Sequence, residues 1–215
     1  MFTAYLPIKL NSERVVNKNF LEINKKPLFY YILNTLTQIN DITEILVDYD
    51  QDEVKVRISH EFPNLKFIKR SKSLSDPKES VNNLISNNID VIENEYVIQT
   101  HVTNPLIKSD TIQKALNQFK TDGIPLFSVN EYYSRFYNKD KTEINHSIET
   151  LIPTQELDPI YEENSNFYIF SKENFKDMNN RISKRSNYFV MNKNESIDID
   201  EYEDLEIVKK YLLGL

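Results

Sequence analysis

Short apolar runs alternate with helical patterns along most of this chain, and that alternation limits the possible folds more than any other feature. The apolar runs predict strands at 2–8, 42–47, 64–68, 95–99, 125–130 and 165–170. Apolar residues at helical spacing predict helices at 28–39, 51–61, 77–88 and 110–121. Because strands that alternate with helices form βαβ units, we expect an α/β fold with three layers, doubly wound (Rossmann-like) around a mainly parallel sheet.

The segment 131–163 interrupts this alternation. It is polar and rich in Tyr and Phe, and a connection of this length is uncommon unless it has a function or structure of its own. Aromatic side chains are also typical of interface cores. We therefore expect 1–215 to form a single domain in which 131–163 is a dimerisation segment or a lid.

The acidic charge balance argues against a broad nucleic-acid surface. The formal net charge is −7 over 215 residues, and such a protein would repel a phosphate polymer. No charge-free apolar run approaches the length of a membrane span, and the first residues lack the pattern of a signal peptide. We expect a cytoplasmic protein that binds no nucleic acid and no membrane. Since the chain has no Cys, thiol nucleophiles and thiolate metal ligands are excluded.

A cluster of cations follows the first predicted strand. Lys9, Arg14 and Lys18 lie in one polar loop, and loops at the carboxyl ends of strands bind ligands in doubly wound folds. The loop has no Gly, so a phosphate site here would depend on side chains and not on a glycine-rich backbone. The alternative is a solvated loop with ordinary surface charges.

Near the other end of the chain, Asp198 and Asp200 are separated by one residue. If they end a strand, both carboxylates face the same side while Ile197 and Ile199 are buried. One or two carboxylates, completed by water and substrate phosphate, suit Mg²⁺. The alternative is an exposed acidic edge that precedes a helix and complements its dipole.

Other local signals are weaker. His101 follows the fourth predicted strand and could contact a substrate or act as a base, although a lone loop His is more often only a hydrogen-bonding residue. Ser109 with Asp110, and Ser171, are predicted to cap helices. No Gly-x-Ser-x-Gly elbow supports serine-hydrolase chemistry.

Several short motifs occur in order along nearly the whole chain. They are Pro7-x-Lys9-x-x-Ser12 with Lys18-Asn19, Lys26-Pro27-Leu28, Leu46 to Asp50, Arg70 to Asp76, His101 to Leu106, Asn164 to Ile169 and Asp198 to Leu205. Each is weak alone, but together they resemble the cytidylyltransferase family that includes the CMP-sialic acid synthetases, with the CMP-Kdo synthetases as more distant relatives.

The resemblance implies a nucleotidyltransferase fold and a reaction that depends on Mg²⁺. A hydroxyl of a sugar acid would attack the α-phosphorus of CTP, which would release pyrophosphate and leave a CMP conjugate. Family members also use an irregular segment for dimer contacts, so the resemblance implies a homodimer formed through 131–163.

The resemblance also implies roles for individual residues. Lys9 and Lys18 would be catalytic and would hold the triphosphate together with Pro7, Ser12, Arg14 and Asn19. Arg70 and Ser80 would approach the cytidine. Asp198 and Asp200 would be catalytic and hold Mg²⁺. The sugar acid would contact His101, Thr103, Asn104 and Asn164.

Departures from the family pattern leave the acceptor open. Lys9 stands where Arg is usual, His101 stands where Gln is usual, and Asn164-Ser165 replaces Asn-Gly. Glu162 and Glu163 occupy a region where a sialic acid enzyme often has a cation, and they would repel a carboxylated sugar. The acceptor could be a sialic acid-like nonulosonate, another nonulosonate or another surface-glycan precursor.

Other functions are also compatible with these features. The chain could be a nucleotide-binding regulatory or scaffold protein that keeps the fold without turnover. It could also transfer from a preformed sugar nucleotide, although a diphosphate donor does not require the basic loop.

Overall fold

The computed structural model describes residues 1–76 and 78–214. Its strands are β1 (Phe2–Ile8), β2 (Glu22–Ile23), β3 (Lys26–Pro27), β4 (Ile42–Tyr49), β5 (Lys66–Lys69), β6 (Tyr96–Thr100), β7 (Leu126–Tyr132), β8 (Ile160–Ser171) and β9 (Asn187–Val190). Its α-helices are α1 (Leu28–Thr37), α2 (Asp52–Glu61), α3 (Val81–Asn88), α4 (Ser109–Asp122), α5 (Lys172–Met178) and α6 (Tyr202–Leu213).

The main sheet confirms the predicted α/β architecture. Its strand order is β5-β4-β1-β6-β8-β7-β9. Parallel pairing joins β1 to β4 and β6, β4 to β5, and β7 to β9. Only β8, among the described strands of this sheet, runs antiparallel to its neighbours β6 and β7. The sheet is therefore mainly parallel, as the alternation of strands and helices predicts.

Both faces of the sheet are covered, which produces three layers. On one face, Phe2, Ala4 and Leu6 of β1 belong to a core cluster that includes residues of α1, α4 and α6. On the other face, Tyr5 belongs to a cluster that includes residues of α3 and α5. Since successive residues of β1 face opposite layers and both layers are apolar, this strand is an almost continuous apolar run.

Of the two predicted helix caps, the one at Ser171 is confirmed and the one at Ser109 and Asp110 is wrong. Gly123 ends α4 in the left-handed region with φ 66°, and the Ser171 side chain accepts a hydrogen bond from the Asn174 N–H at the start of α5. By contrast, Lys108 is the N-cap of α4, and neither Ser109 nor Asp110 caps the helix. A distant carboxylate, Glu195, instead accepts the Lys108 N–H at 3.3 Å, so a tertiary contact replaces the local cap.

The start of the predicted helix at 77–88 is only partly tested. Pro77 lies outside the described residues, and α3 begins at Val81 with Ser80 as its N-cap. The helix ends at Asn88, as expected.

The irregular segment is shorter than predicted. Strand β7 continues to Tyr132 and β8 begins at Ile160, with Glu131 paired to Tyr161 and Tyr132 paired to Ile160. The antiparallel pairing therefore extends into both ends of 131–163 and leaves 133–159 as the irregular part. Within it, the structure has a 3-10 turn at Thr154–Glu156 and an isolated bridge between Tyr137 and Glu143.

Within residues 1–76 and 78–214, none of the helices has the length and apolar character needed to cross a membrane.

Candidate active site

A cavity of about 550 Å³ opens beside the carboxyl ends of β1, β4 and β6. We call it the β1 cavity. Parallel strands end at the same edge of a sheet, which is why loops distant in sequence meet here. Of the residues predicted from sequence, those that line it are Pro7, Lys9, Ser12, Arg14, Lys18, Asn19, Arg70, His101 and Thr103.

A second cavity of about 470 Å³ contains the predicted acidic residues, and we call it the Asp200 cavity. Asp198, Asp200 and Asn164 line it. The two cavities share no lining residue among those the structure describes, but Lys18 of the β1 cavity contacts the loop that lines the Asp200 cavity. Its Nζ donates a hydrogen bond to the Ile199 carbonyl and lies 3.6 Å from Asp200 Oδ1. The cations of the first loop and the acids of the last loop thus share one boundary.

Buried contacts hold the basic loop in place. Val15 is fully buried, and Asn19 Nδ2 donates to the Lys9 carbonyl at 2.8 Å. The Leu10 N–H donates to Asp50 Oδ1 at 2.9 Å. Burial lowers the pKa of the Lys9 ammonium, and the nearby Arg70 charge lowers it further. The loop is an ordered wall of the cavity, which disfavours the alternative of a solvated surface loop.

Arg14 makes the second contact between the cationic and acidic loops. Its NH2 lies 2.5 Å from Asp200 Oδ1, and its NH1 lies 3.3 Å from Glu201 Oε1. The Arg14 side chain is 56% exposed, so in this arrangement a ligand phosphate could reach it from solvent and compete with the carboxylates.

Arg70 is held by a buried network that the sequence did not predict. Its Nε lies 2.6 Å from Asp48 Oδ1, while Tyr5 Oη and Asn88 Nδ2 donate to Asp48 Oδ2. Burial is the largest influence on the pKa values of both Asp48 and Tyr5 and raises both. Arg70 NH1 is buried without a hydrogen-bond partner among the described residues, although Arg70 lines the β1 cavity. A ligand acceptor group could satisfy this donor.

Two predicted site residues do not line either cavity. The Ser80 hydroxyl accepts a hydrogen bond from the Asn82 N–H at 3.2 Å as the cap of α3, and the neighbouring residues Glu79 and Val81 line the β1 cavity instead. Asn104 is fully buried, and its side-chain atoms have no hydrogen-bond partner among the described residues. The roles predicted for both residues therefore stay predictions.

His101 lines the β1 cavity and is unsuited to act as a base. Burial, with the charges of Arg181 and Lys18, lowers its pKa to about 3. A ring with so low a pKa is neutral at physiological pH and accepts protons poorly. Its Nε2 lies 3.0 Å from Gln99 Nε2.

Asp198 and Asp200 do not end a strand, contrary to the prediction. The segment before α6 lies outside the described strands and is held by other bonds: the Ile199 N–H donates to the Thr103 carbonyl at 2.9 Å, and Asp204 Oδ2 accepts the Asp200 N–H at 2.9 Å. Ile199 is fully buried, whereas Ile197 is only half-buried. A helix-capping interaction therefore replaces the expected strand pairing.

The acidic pair fits a divalent cation. Burial raises the pKa of Asp198, and the neighbouring Asp200 carboxylate adds to this effect. Asp198 Oδ1 is buried and has no partner among the described residues. A cation would satisfy this oxygen and offset the repulsion, and Mg²⁺ requires only one or two protein carboxylates. No group of three or more His, Cys, Asp or Glu residues suited to a metal occurs among the described residues.

The Asp200 cavity has a strongly acidic lining, but most of its carboxylates have internal donors, as described above for Asp200 and Asp204. Glu162 Oε2 accepts hydrogen bonds from Asn130 Nδ2 at 2.9 Å and Tyr132 Oη at 2.7 Å. Glu163 accepts one from Tyr168 Oη. Lys193, which lies 5.3 Å from the Tyr132 ring centroid, is the one cation among the described residues of this lining. No motif singled out Lys193 in the sequence.

Comparisons with known proteins identify the family to which the chain is similar. A family model described as "Cytidylyltransferase" matches residues 4–213. The chain is similar to a pseudaminic acid cytidylyltransferase of Campylobacter jejuni subsp. jejuni serotype O:2, with 24% identity over 95% of this chain and 93% of the relative. It is also similar to an N-acylneuraminate cytidylyltransferase of Streptococcus agalactiae serotype V, with 23% identity over 93% of this chain and 50% of the relative.

Among solved structures, the fold is similar to that of CMP:2-keto-3-deoxy-manno-octonic acid synthetase complexed with CTP. The TM-score is 0.72 at 14% identity, and the match covers 99% of this chain and 98% of the other. At this identity the likeness supports the fold alone.

Proposed function

Because the chain belongs to the cytidylyltransferase family and is a nucleotidyltransferase, we propose that it transfers CMP from CTP to a hydroxyl of a sugar acid of the nonulosonate class. The observation that carries this proposal is the contact of Lys18 with Asp200, which joins a cavity wall with four cations among its described residues to the wall of an acidic cavity. A triphosphate in the first cavity would bring its α-phosphate to an acceptor in the second.

On the nucleotide side, Lys9, Arg14 and Lys18 supply the charges for the phosphates. Ser12 and Asn19 line the same wall and can donate hydrogen bonds. Arg70 supplies the buried NH1 donor for an acceptor group of the nucleotide. Lys9 contributes a point charge where Arg would contribute a planar fork, so its contact is electrostatic more than directional.

In the reaction, the acceptor hydroxyl oxygen forms a bond to the α-phosphorus while the bond from that phosphorus to the bridging oxygen of the β-phosphate breaks. Pyrophosphate leaves, and the hydroxyl proton is released. The protein holds the two substrates in line and neutralises charge, which is the main requirement in phosphoryl-type transfers. His101, with its low pKa, does not take up the proton.

Asp198 and Asp200 would hold Mg²⁺, which supplies Lewis-acid neutralisation of phosphate charge. The chain's own contribution is to present the partnerless Asp198 Oδ1 and to keep Asp200 beside Lys18 and Arg14. Phosphates that share these two cations with Asp200 would weaken its ion pairs and leave the carboxylate available as a ligand.

On the acceptor side, we propose that the sugar acid occupies the Asp200 cavity against Asn164 and extends past Lys18 to Thr103 and His101, which line the β1 cavity. The relatives named above act on pseudaminic acid and N-acylneuraminate, which are nonulosonates. Lys193 offers the cation for the acceptor carboxylate, and the internal hydrogen bonds of Glu162 and Glu163 reduce the repulsion that their charges would otherwise exert.

We also propose that the protein is a homodimer whose contacts include the irregular part of 131–163. Large apolar side chains there are strongly exposed, with Ile148 at 72% and Leu151 at 84%. A solution mass of two protomers by light scattering would support this, and a mass of one would contradict it.

The direct test is pyrophosphate release from CTP, UTP, ATP and GTP in the presence of Mg²⁺ and a panel of nonulosonates. We expect turnover with CTP and at least one nonulosonate, and a CMP conjugate by mass spectrometry. Inactivity with every pair, in a protein that still binds CTP, would refute the proposed transfer and favour a binding protein without turnover.

A further inference from the structure

We propose that Arg181 and Gln99 are a positioning pair that fixes His101 as its Nδ1–H tautomer, so that the ring serves the β1 cavity as a neutral hydrogen-bond donor. Neither Arg181 nor Gln99 lines that cavity. They act through His101, which does.

The strand pairing sets up this arrangement. Gln99 of β6 and Tyr168 of β8 are direct antiparallel partners, so their side chains lie next to each other on the same face of the sheet. Arg181, which follows α5, lies across both of them. Its guanidinium carbon is 3.9 Å from the Tyr168 ring centroid, and its NH1 donates a hydrogen bond to Gln99 Oε1.

The Arg181 contact fixes the orientation of the Gln99 amide. Arg carries only donors, so the amide atom that faces NH1 must be the oxygen. The amide nitrogen then faces the Thr100 carbonyl and His101 Nε2, each at 3.0 Å. A flipped amide would place two donors against each other and two carbonyl oxygens together. All three hydrogen-bonding positions of the amide are satisfied in only one orientation.

The orientation of Gln99 in turn determines the proton position on His101. Because Gln99 Nε2 uses one N–H for Thr100 and the other for His101, the ring nitrogen that it faces must accept. In a neutral imidazole the proton is then on Nδ1. Burial and the positive charges of Arg181 and Lys18 lower the pKa of the ring, which keeps it neutral.

These linked hydrogen bonds explain how His101 can occupy a position where the family pattern has Gln. A Gln side chain at this position can donate an N–H to a ligand oxygen, and a His in the Nδ1–H form can do the same. The inference rests on the proposed function only for the identity of that oxygen, which would belong to the sugar acid. The tautomer itself is a property of the protein without ligands.

The experiment is ¹⁵N NMR of the full chain with labelled His, since only His60, His101 and His146 contribute signals. The loss of one signal set in His101→Asn assigns His101. We expect the pattern of a neutral ring protonated on Nδ1 at pH 7. An Nε2–H ring or a doubly protonated ring in the wild-type protein would overturn the inference. Because the spectrum is that of the wild-type protein, the result does not depend on whether variants of Arg181 or Gln99 fold.

Variants of the pair test the direction of the effect. In Gln99→Glu the side chain has only acceptors, so we expect His101 to move its proton to Nε2 or to become doubly protonated. Gln38→Glu, an exposed position at the end of α1, is the matched control and should leave the His101 signals unchanged. An unchanged Nδ1–H ring in folded Gln99→Glu would contradict the positioning role.

Kinetics separate positioning from simple structural support. Where Gln99→Glu moves the proton to Nε2, Nδ1 no longer donates, and we expect the KM for the sugar acid to rise about tenfold, as the loss of one hydrogen bond of about 1.4 kcal/mol would. The affinity for CTP should change little. If the tautomer is as inferred but no transfer from CTP occurs, the positioning pair stands and the proposed function fails. An acceptor KM that stays unchanged when the tautomer has shifted would remove the assigned role of His101 as a donor.

Discussion

Lys18 Nζ lies 3.6 Å from Asp200 Oδ1 and donates to the carbonyl of Ile199, which joins the first loop of the chain to the last. The Lys18 side chain is only 12% exposed, so its charge is poorly screened and faces the boundary between the two cavities. This ammonium is therefore in a position to bridge a phosphate and the acidic pair.

Replacing this ammonium should weaken nucleotide binding. In Lys18→Met, we expect CTP affinity measured by calorimetry without acceptor to fall about 10- to 100-fold, because a charged hydrogen bond contributes about 1.5–3 kcal/mol. Lys114→Met, at an exposed position of α4, is the control and should bind CTP like the wild type. Equal affinity in both variants would mean that the basic loop does not hold the triphosphate.

The stability of the metal-free protein should depend on pH through Asp198. Its carboxyl pKa is raised by burial, so the folded state holds this proton more tightly than the unfolded chain does. Ionisation of Asp198 therefore lowers the free energy of unfolding once the pH rises above the ordinary carboxyl range. Below that range the carboxyl is protonated in both states and the cost disappears. The measurement is urea denaturation in the presence of a metal chelator over a series of pH values. Asp198→Asn should be more stable than the wild type at pH 7, and the gain in the free energy of unfolding should shrink as the pH falls towards about 4.

Asp90→Asn provides a control of opposite sign for this urea-denaturation series. Lys176 lowers the pKa of Asp90, so its carboxylate favours folding above the ordinary carboxyl range and its loss should lower stability at pH 7.

Addition of Mg²⁺ at about 100 times its Kd should stabilise the wild type by about 2.7 kcal/mol. The same addition should leave Asp198→Asn nearly unchanged, and equal stabilisation of both proteins would argue against Asp198 as a ligand.

The buried pair of Asp48 and Arg70 should matter for both stability and binding. Asp48→Asn leaves the buried Arg70 charge without its partner, and we expect a loss of about 3–5 kcal/mol in urea denaturation. CTP affinity should fall as well, since Arg70 is no longer held at the cavity wall. Asp52→Asn is the control: its pair with Lys69 is exposed, so the cost should be about 1 kcal/mol or less. Similar costs for the two variants would contradict this account.

Ser165 is held in the left-handed region with φ 57°, at the point where the pairing of β7 and β8 shifts register. This conformation costs a residue with a side chain about 1 kcal/mol more than Gly. Ser165→Gly should therefore raise the free energy of unfolding by about that amount. Asn179→Gly, at φ 48°, is the control and should change less, because Asn tolerates this region better than Ser. A destabilised Ser165→Gly would show that the bond between Ser165 Oγ and Tyr168 Oη at 3.1 Å outweighs the strain.

The sequence predicted those parts of the site that lie in continuous motifs. The alternation of apolar runs with helical patterns predicts the sheet. The loop from Lys9 to Asn19 is recognisable by its three cations, and the segment from Asp198 to Asp200 by its two carboxylates. The role of Ser80 stays a prediction: it caps α3 while its neighbours Glu79 and Val81 line the β1 cavity, and the exact start of a helix depends on tertiary packing. The irregular segment was predicted too long because strand pairing extends into both of its ends.

The residues that the sequence missed act through long-range contacts. Gln99 lies in an apolar run and resembles an ordinary strand residue until β8 pairs with it and Arg181 crosses it. Asp48 likewise gains its role only when Arg70 and Tyr5 meet it from other elements. A buried polar residue inside an apolar strand run is the one signal that could have drawn attention to both positions.

The most direct test of the proposed transfer follows one oxygen atom. A nonulosonate labelled with ¹⁸O at the attacking hydroxyl is incubated with CTP, Mg²⁺ and the enzyme, and both products are analysed by mass spectrometry and ³¹P NMR. Attack on the α-phosphorus predicts one ¹⁸O in the bridge between sugar and CMP, and none in the released pyrophosphate. Label in the pyrophosphate, or a CMP conjugate without label, would contradict it.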